Sequence, residues 1–287
     1  MGAKGSWRSG FEEVSNYRMY YREWRPMTGG EGLPVIALHG SLSQGGMWFS
    51  TAERVGAVRM ICPDQRGYGK SADPGRGDAA ADFAQDAIRL ADGLLVDRFV
   101  VMGHSFASSI ALKVAEMAAG RVGGVVLVDP TVRSAKGNRG NLEVARQRPN
   151  RFKNYSEVKK FWKKAEEGQW PAKNLDRFLR DIMISAPGKA MCEMPFVNER
   201  LVRLREFQAS ASGDYFPDKI AQKIKSSVLI FRGGKSRRFS GEGQKILAGA
   251  FPKKPKVVLC SKAGHFPPAQ EPSAFDLPFK NFVLGLK

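Results

Sequence analysis

Apolar runs break the chain at intervals, and the segments between them carry apolar residues at helical spacing. Residues 11–25 alternate in places and are rich in Tyr and Trp, with Ser15-Asn16 in the middle. That pattern predicts an antiparallel hairpin at a sheet edge. Short, predominantly apolar runs follow at 34–38, 58–63, 99–102, 124–128, 227–231 and 256–260. Runs of this length without alternation predict strands buried on both faces, the signature of a parallel sheet. Residues 45–55, 79–95 and 271–282 have the periodicity of helices, as does the small-residue stretch after 105. Strand and helix thus alternate, which predicts an α/β architecture.

The alternation fails between 131 and 215. That stretch is charged and aromatic, with helical patches at 156–167 and 174–184. It is expected to be a helical cap, residues 131–215, inserted into a core built from 1–130 and 216–287. Phe152, Trp162, Trp170, Met191, Met194 and Phe196 either line a pocket under such a cap or fill the cap's own small core.

The chemistry concentrates where the run at 99–102 ends. Gly103-His104-Ser105-Phe106-Ala107 places a serine between a strand and a helix, with small residues two positions before and after it. A serine at such a turn sits in strained backbone that tolerates only small neighbours. It also lies at a helix N-terminus, where free amides favour developing negative charge. The Phe106 amide is the natural donor there. The more usual motif has glycine in place of Ala107.

With this elbow, the chain resembles the α/β-hydrolase fold family. The resemblance extends to His39-Gly40, to Asp64-Gln-Arg-Gly-Tyr-Gly-Lys-Ser71 and to Gly264-His265, in the expected order, over roughly residues 10–285. It implies an α/β-hydrolase fold: a mostly parallel eight-stranded sheet flanked by helices, with an inserted helical cap. It also implies that the residue after His39-Gly40, Ser41, supplies a second oxyanion amide. The chain has three histidines. His104 adjoins the serine and His39 belongs to the oxyanion loop. His265 lies after the last strand, where the family carries its base.

The acid departs from the common pattern. The family most often places it after the strand at 227–233, but this chain reads Gly233-Gly-Lys-Ser236 there. Asp129, after the preceding strand, is the favoured replacement, with Glu242 next. Branches that carry the acid after the sixth strand include 2-(acetamidomethylene)succinate hydrolases, certain lactone hydrolases and cofactor-independent quinolone dioxygenases. The resemblance therefore implies a Ser105–His265–Asp129 triad that hydrolyses a small ester, amide or C–C bond. A cofactor-independent dioxygenase of a hydroxylated N-heteroaromatic and a low-turnover ligand-binding protein are the alternatives. His39, Arg146 and Trp170 are candidate substrate contacts.

Composition adds limits. The net charge is +18, with basic clusters at 146–153, 159–164, 235–238 and 253–256. These are spread along the chain and form no recognisable nucleic-acid module. A solvated basic surface is expected, with an anionic or aromatic small-molecule substrate and neither nucleic acid nor membrane as partner. Monomer and homodimer both remain open. Gly67-Tyr-Gly-Lys-Ser-Ala72 imitates two nucleotide motifs. However, Asp73-Pro74-Gly75 interrupts the helix that a dinucleotide site needs, and Asp64 stands where a P-loop has glycine. No cofactor and no metal site are expected. No apolar run reaches ~20 residues, and the first residues lack an apolar signal core. Cys62, Cys192 and Cys260 are odd in number and widely spaced. They are expected to be free thiols of a cytoplasmic protein.

Overall fold

A computed structural model describes residues 5–27, 32–132, 138–165, 170–185, 192–194, 198–210 and 215–286. Its centre is an eight-stranded sheet. The strands are β1 (Gly5–Val14), β2 (Tyr17–Pro26), β3 (Val35–Leu38), β4 (Met60–Pro63), β5 (Phe99–His104), β6 (Val122–Val128), β7 (Ser227–Gly233) and β8 (Lys256–Cys260). They lie in the order β1-β2-β4-β3-β5-β6-β7-β8. The β1–β2 hairpin is antiparallel, as is the β2–β4 pair, and the remaining neighbours are parallel. This is the α/β-hydrolase architecture expected above, with the hairpin at one edge.

The period-two alternation of strands sorts the core into two faces. Ile36, Leu38, Val101, Val125 and Leu127 point to one side. There they meet α2 (Ala80–Gly93), α3 (Ala107–Met117) and the later α9 (Gly241–Ala250). Val35, Ala37, Val100, Met102, Val126 and Val128 point to the other. That side is covered by α1 (Phe49–Val55) and α11 (Pro272–Leu284). With both faces covered, β3 to β6 show no polar alternation, whereas the edge strand β1 alternates between half-buried and exposed positions.

Between β6 and β7 lie α4 (Asn138–Gln147), α5 (Tyr155–Ala165), α6 (Ala172–Ile182) and α7 (Asn198–Ser210). A small antiparallel sheet of Arg151–Phe152, Cys192–Glu193 and Ile184–Ser185 accompanies them. Phe152, Trp162, Phe178, Leu179 and Met194 are buried and continuous with the core on the α1 side. Met191 and Phe196 lie outside the described residues. Polar ties reinforce this seat. Gln44 Nε2 donates to the Ile182 carbonyl (2.9 Å), and Tyr215 OH to the Asp78 carbonyl (2.7 Å).

The structure departs from the sequence reading in a few places. Residues 45–55 are not one helix: Gly45–Trp48 forms a 3-10 turn that leads into α1. The sequence singled out neither α4, α7, α8 (Pro217–Ala221) nor α9. The first two are polar and arginine-rich, and α9 begins at Gly241-Glu-Gly, a poor helix start by propensity. Ser240 overrides that propensity by capping α9, its hydroxyl accepting from Gly243 N (3.0 Å).

The Gly67–Ser71 turn is filled by the protein itself. Asp64 Oδ1 accepts from Gly45 N and Oδ2 from Lys70 N, both at 2.9 Å. Behind it, buried Asp86 accepts from Tyr17 OH (2.8 Å), Ser15 Oγ (2.9 Å) and Arg66 Nε (2.6 Å). This joins the hairpin, the turn and α2, and burial beside Asp86 pushes the Tyr17 phenol far up. Removing one partner of a buried ion pair strands the other charge, at a cost of about 3–5 kcal/mol. Asp86→Ala should therefore lower the urea midpoint by that much stability, with the m-value unchanged. A change under about 1 kcal/mol would show that the network carries no such weight.

Candidate active site

β5 delivers the elbow. The strand is buried throughout and still pairs with β6 at His104. Ser105 then turns to φ +57°, the left-handed region that a non-glycine residue rarely adopts, and α3 begins two residues later. Its amide remains tied to the Val128 carbonyl (3.0 Å). The turn is so tight that a Cβ on Gly103 would lie 2.1 Å from the Ala107 carbonyl oxygen. Glycine is therefore required at 103, while the alanine at 107 fits.

β6 delivers a second strained residue at its end. Asp129 has φ +43° and is fully buried. Its Oδ1 accepts from Gly233 N (2.9 Å). Its Oδ2 accepts from Ser236 Oγ (2.6 Å) and from His265 Nδ1 (2.7 Å). With Nδ1 donating, His265 Nε2 accepts the Ser105 hydroxyl at 2.9 Å. The three side chains thus form one hydrogen-bonded line. Glu242, the other acid considered, is exposed in the first turn of α9.

The loop that carries His265 is held from several sides. Gln270, in the short helix α10 (Pro267–Gln270), accepts through Oε1 from Gly264 N (3.0 Å) and Phe266 N (2.9 Å). His104 Nε2 donates to the His265 carbonyl (2.7 Å). Burial, reinforced by His265 nearby, pushes His104 down to about 3, so it stays neutral. A Cβ on Gly233 would lie 1.8 Å from the Gly264 oxygen, so the end of β7 must be glycine for this loop to pack against it.

Ser105 faces a cavity of about 40 Å³. Its described lining is Gly40–Ser43, His104, Thr131, Arg205, Arg238, His265 and Phe266. Thr131 Oγ1 is 3.2 Å from Ser105 Oγ. Among the described residues, no backbone carbonyl engages the amides of Ser41 and Phe106. A larger cleft of about 330 Å³ between α1 and α6 is lined by Ser50, Arg54, Arg177 and Asp181, with no histidine. No group of three or more possible metal ligands occurs among the described residues. No helix there is long and apolar enough to cross a membrane.

Three residues considered as substrate contacts lie away from this cavity. His39 spends both ring nitrogens inside the fold, on the Gly40 carbonyl (2.8 Å) and the Gln65 amide (2.9 Å). Burial pushes it down to about 3. Arg146 is exposed and pairs with Glu206 (3.3 Å) on a separate surface. Trp170 packs at a tilt against Phe178 and against Phe266, 5.7 Å from the latter, and so stands one layer behind the lining. Conversely, the sequence reading missed Thr131, Arg205, Ser236, Arg238 and Gln270. Only Ser236 and Arg238 lay in a stretch already under scrutiny.

Comparison with known proteins agrees with this architecture. The structure of E-2-(acetamidomethylene)succinate hydrolase superposes with a TM-score of 0.80 at 20% identity, covering 97% of this chain and 99% of that one. An alpha/beta hydrolase from Novosphingobium aromaticivorans gives 0.74 at 20% identity, covering 97% and 96%. In sequence, lipase LipV of Mycobacterium tuberculosis is 31% identical over 103 residues, 34% of this chain and 37% of the lipase. The matching region thus spans little more than a third of that curated relative. The profile of the Alpha/beta hydrolase family matches residues 35–276, most of the chain, and to that family the chain belongs.

Proposed function

We propose that the protein is a serine hydrolase that cleaves a small-molecule ester, amide or activated C–C bond next to a carbonyl. The observation that carries this reading is the Ser105–His265–Asp129 line, at 2.9 Å and 2.7 Å, open to a cavity. A serine hydroxyl is a weak nucleophile and needs a base within hydrogen-bond reach. His265 Nε2 has that reach.

In the proposed reaction, Ser105 Oγ bonds to the carbonyl carbon as its proton passes to His265 Nε2. The oxyanion that forms is held by the Ser41 and Phe106 amides, each worth on the order of 3 kcal/mol to the barrier. His265 then gives the proton to the leaving group. Water attacks the acyl-serine, again with His265 as base, and the acid product departs. Asp129 holds the imidazole in the tautomer that leaves Nε2 free to accept, and offsets the charge of the imidazolium.

The helical insertion, which brings Thr131 and Arg205 to the cavity, acts in this reading as a cap that keeps water from the acyl group. A cytoplasmic location is inferred from the cysteines. Cys62 and Cys260 are free and buried, and burial pushes the Cys260 thiol up to about 12.

A fluorophosphonate tests the nucleophile and its acid together. Intact mass should show one adduct on the wild type and none on Ser105→Ala. Asp129→Asn should label about 10⁴-fold more slowly, and Glu242→Gln at the wild-type rate. Undiminished labelling of Asp129→Asn would remove Asp129 from the triad. An oxygen electrode separates the oxygenase alternative: hydroxylated N-heteroaromatics should cause no uptake. Uptake that depends on His265 would sink the hydrolase reading.

A further inference from the structure

Arg205 is a half-buried cation of the cavity wall that no carboxylate of the described residues matches. Its Nη2 donates to Ser41 Oγ and its Nη1 to Gln208 Oε1, both at 2.8 Å. Both acceptors are neutral. Among the described residues, no carboxylate pairs with it. Other arginines of the interior are treated differently. Arg66 is matched by Asp86 at 2.6 Å, and Arg200 by Asp78 at 2.5 Å. Arg203, two residues before Arg205 on α7, is matched by Asp73 (2.7 Å) and Asp78 (2.8 Å).

Withdrawing a guanidinium from water without a counter-charge is costly. Here burial disfavours the charge, and Arg238, which lines the same cavity, adds to that. Arginine does not escape by losing its proton. A fork with five N–H donors, two of them engaged by neutral oxygens, retains donors for an incoming acceptor.

Its position gives the distance to the reaction. Ser41 Oγ holds the guanidinium, and the amide of the same Ser41 is the proposed oxyanion donor. An anion on Arg205 would therefore sit a few bond lengths from a carbonyl held at the Ser41 amide. We propose that Arg205 receives a carboxylate on the acyl part of the substrate, about two to three carbons from the carbonyl that Ser105 attacks. The protein then selects half-esters or half-amides of small dicarboxylic acids over neutral acyl compounds. This inference rests on the serine-hydrolase reading of the same site.

The test compares mono-4-nitrophenyl succinate with its neutral methyl ester, 4-nitrophenyl methyl succinate. The readout is the ratio of their kcat/KM values, which cancels any general loss of fold or catalysis. The wild type should favour the anionic ester by about tenfold or more, the range of a charge-assisted hydrogen bond. Arg205→Met should bring the ratio to about one, and Arg205→Lys should restore part of it. A wild-type ratio near one, or an unchanged ratio in Arg205→Met, overturns the proposal. A second measurement needs no turnover: millimolar succinate should slow labelling of Ser105 by a neutral fluorophosphonate in the wild type and in Arg205→Lys, but not in Arg205→Met. Equal protection of all three overturns the proposal as well. Labelling without any charge preference would refute the role of Arg205 alone. Absence of labelling in the wild type would refute the hydrolase reading and this inference with it.

Discussion

One buried carboxylate ties together the ends of three strands at one edge of the sheet. Asp129 accepts from Gly233 at the end of β7, from Ser236 in the following loop and from His265 after β8. Three segments far from it in sequence are thereby held to the end of β6. A fully buried carboxylate is tolerated only when its oxygens are satisfied by hydrogen bonds or opposite charge. Here a backbone amide, a hydroxyl and an imidazole meet that need. In the proposed triad, the arrangement allows the acid to stand one strand away from its more frequent place in the family. β6 and β7 are parallel neighbours, so their ends lie side by side. A carboxylate on either end can reach the same imidazole. The place vacated after β7 goes to Ser236, which donates to the acid in place of being one.

Strain and packing at this edge depend on each other. Ser105 and Asp129 both sit at positive φ, at the ends of adjacent strands. Neither is glycine, so each costs on the order of 1–3 kcal/mol, and such residues persist only where the surroundings over-determine them. The surroundings do so here. The amide of Ser105 is tied to the Val128 carbonyl, and that of Asp129 to the Phe231 carbonyl. A rigid sheet with helices on both faces thus carries two residues that a loop alone would release. Behind His265, Gln270 and His104 fix the backbone of its loop, so the imidazole is aimed by contacts made to its own main chain and that of its neighbours.

Legibility in the sequence followed the range of the interaction. Strand β7 was readable because its apolar run reports burial on both faces directly, whereas β8, the far edge strand, shows the same kind of run but is only partly buried. Ser105, Asp129 and His265 were readable because each stands at the end or just after such a run, where a resemblance could attach to it. Gln270, Thr131 and Arg205 were not. Gln270 matters through two backbone amides of a loop, and Thr131 through the position of Ser105. No local pattern marks either relation. His39 misled in the opposite direction. Its place beside Gly40 suggested a substrate contact, yet both ring nitrogens are used in tying Gln65 to the loop after β3.

The positive charge of the chain gains meaning only once it is sorted by partner. Counted along the sequence, +18 predicts no more than a solvated basic surface, and α7 adds Arg200, Arg203 and Arg205 to the count. In the fold, Arg200 and Arg203 both bind Asp78, on the loop before α2, and so fasten α7 to the core. They are structural, and their charge is cancelled where they lie. Arg205 reaches the oxyanion loop through Ser41 instead. Helical periodicity explains the division. Residues three and four apart share a face, but a step of two turns the side chain away. Arg203 and Arg205 therefore leave α7 in different directions, one toward Asp73 and Asp78 and the other toward the cavity. A count of charges cannot separate an arginine whose charge is cancelled by a neighbour from one whose charge is not. The presence or absence of a carboxylate beside it can, and on that criterion the arginine of α7 to which the proposed carboxylate site belongs is the one next to Ser41.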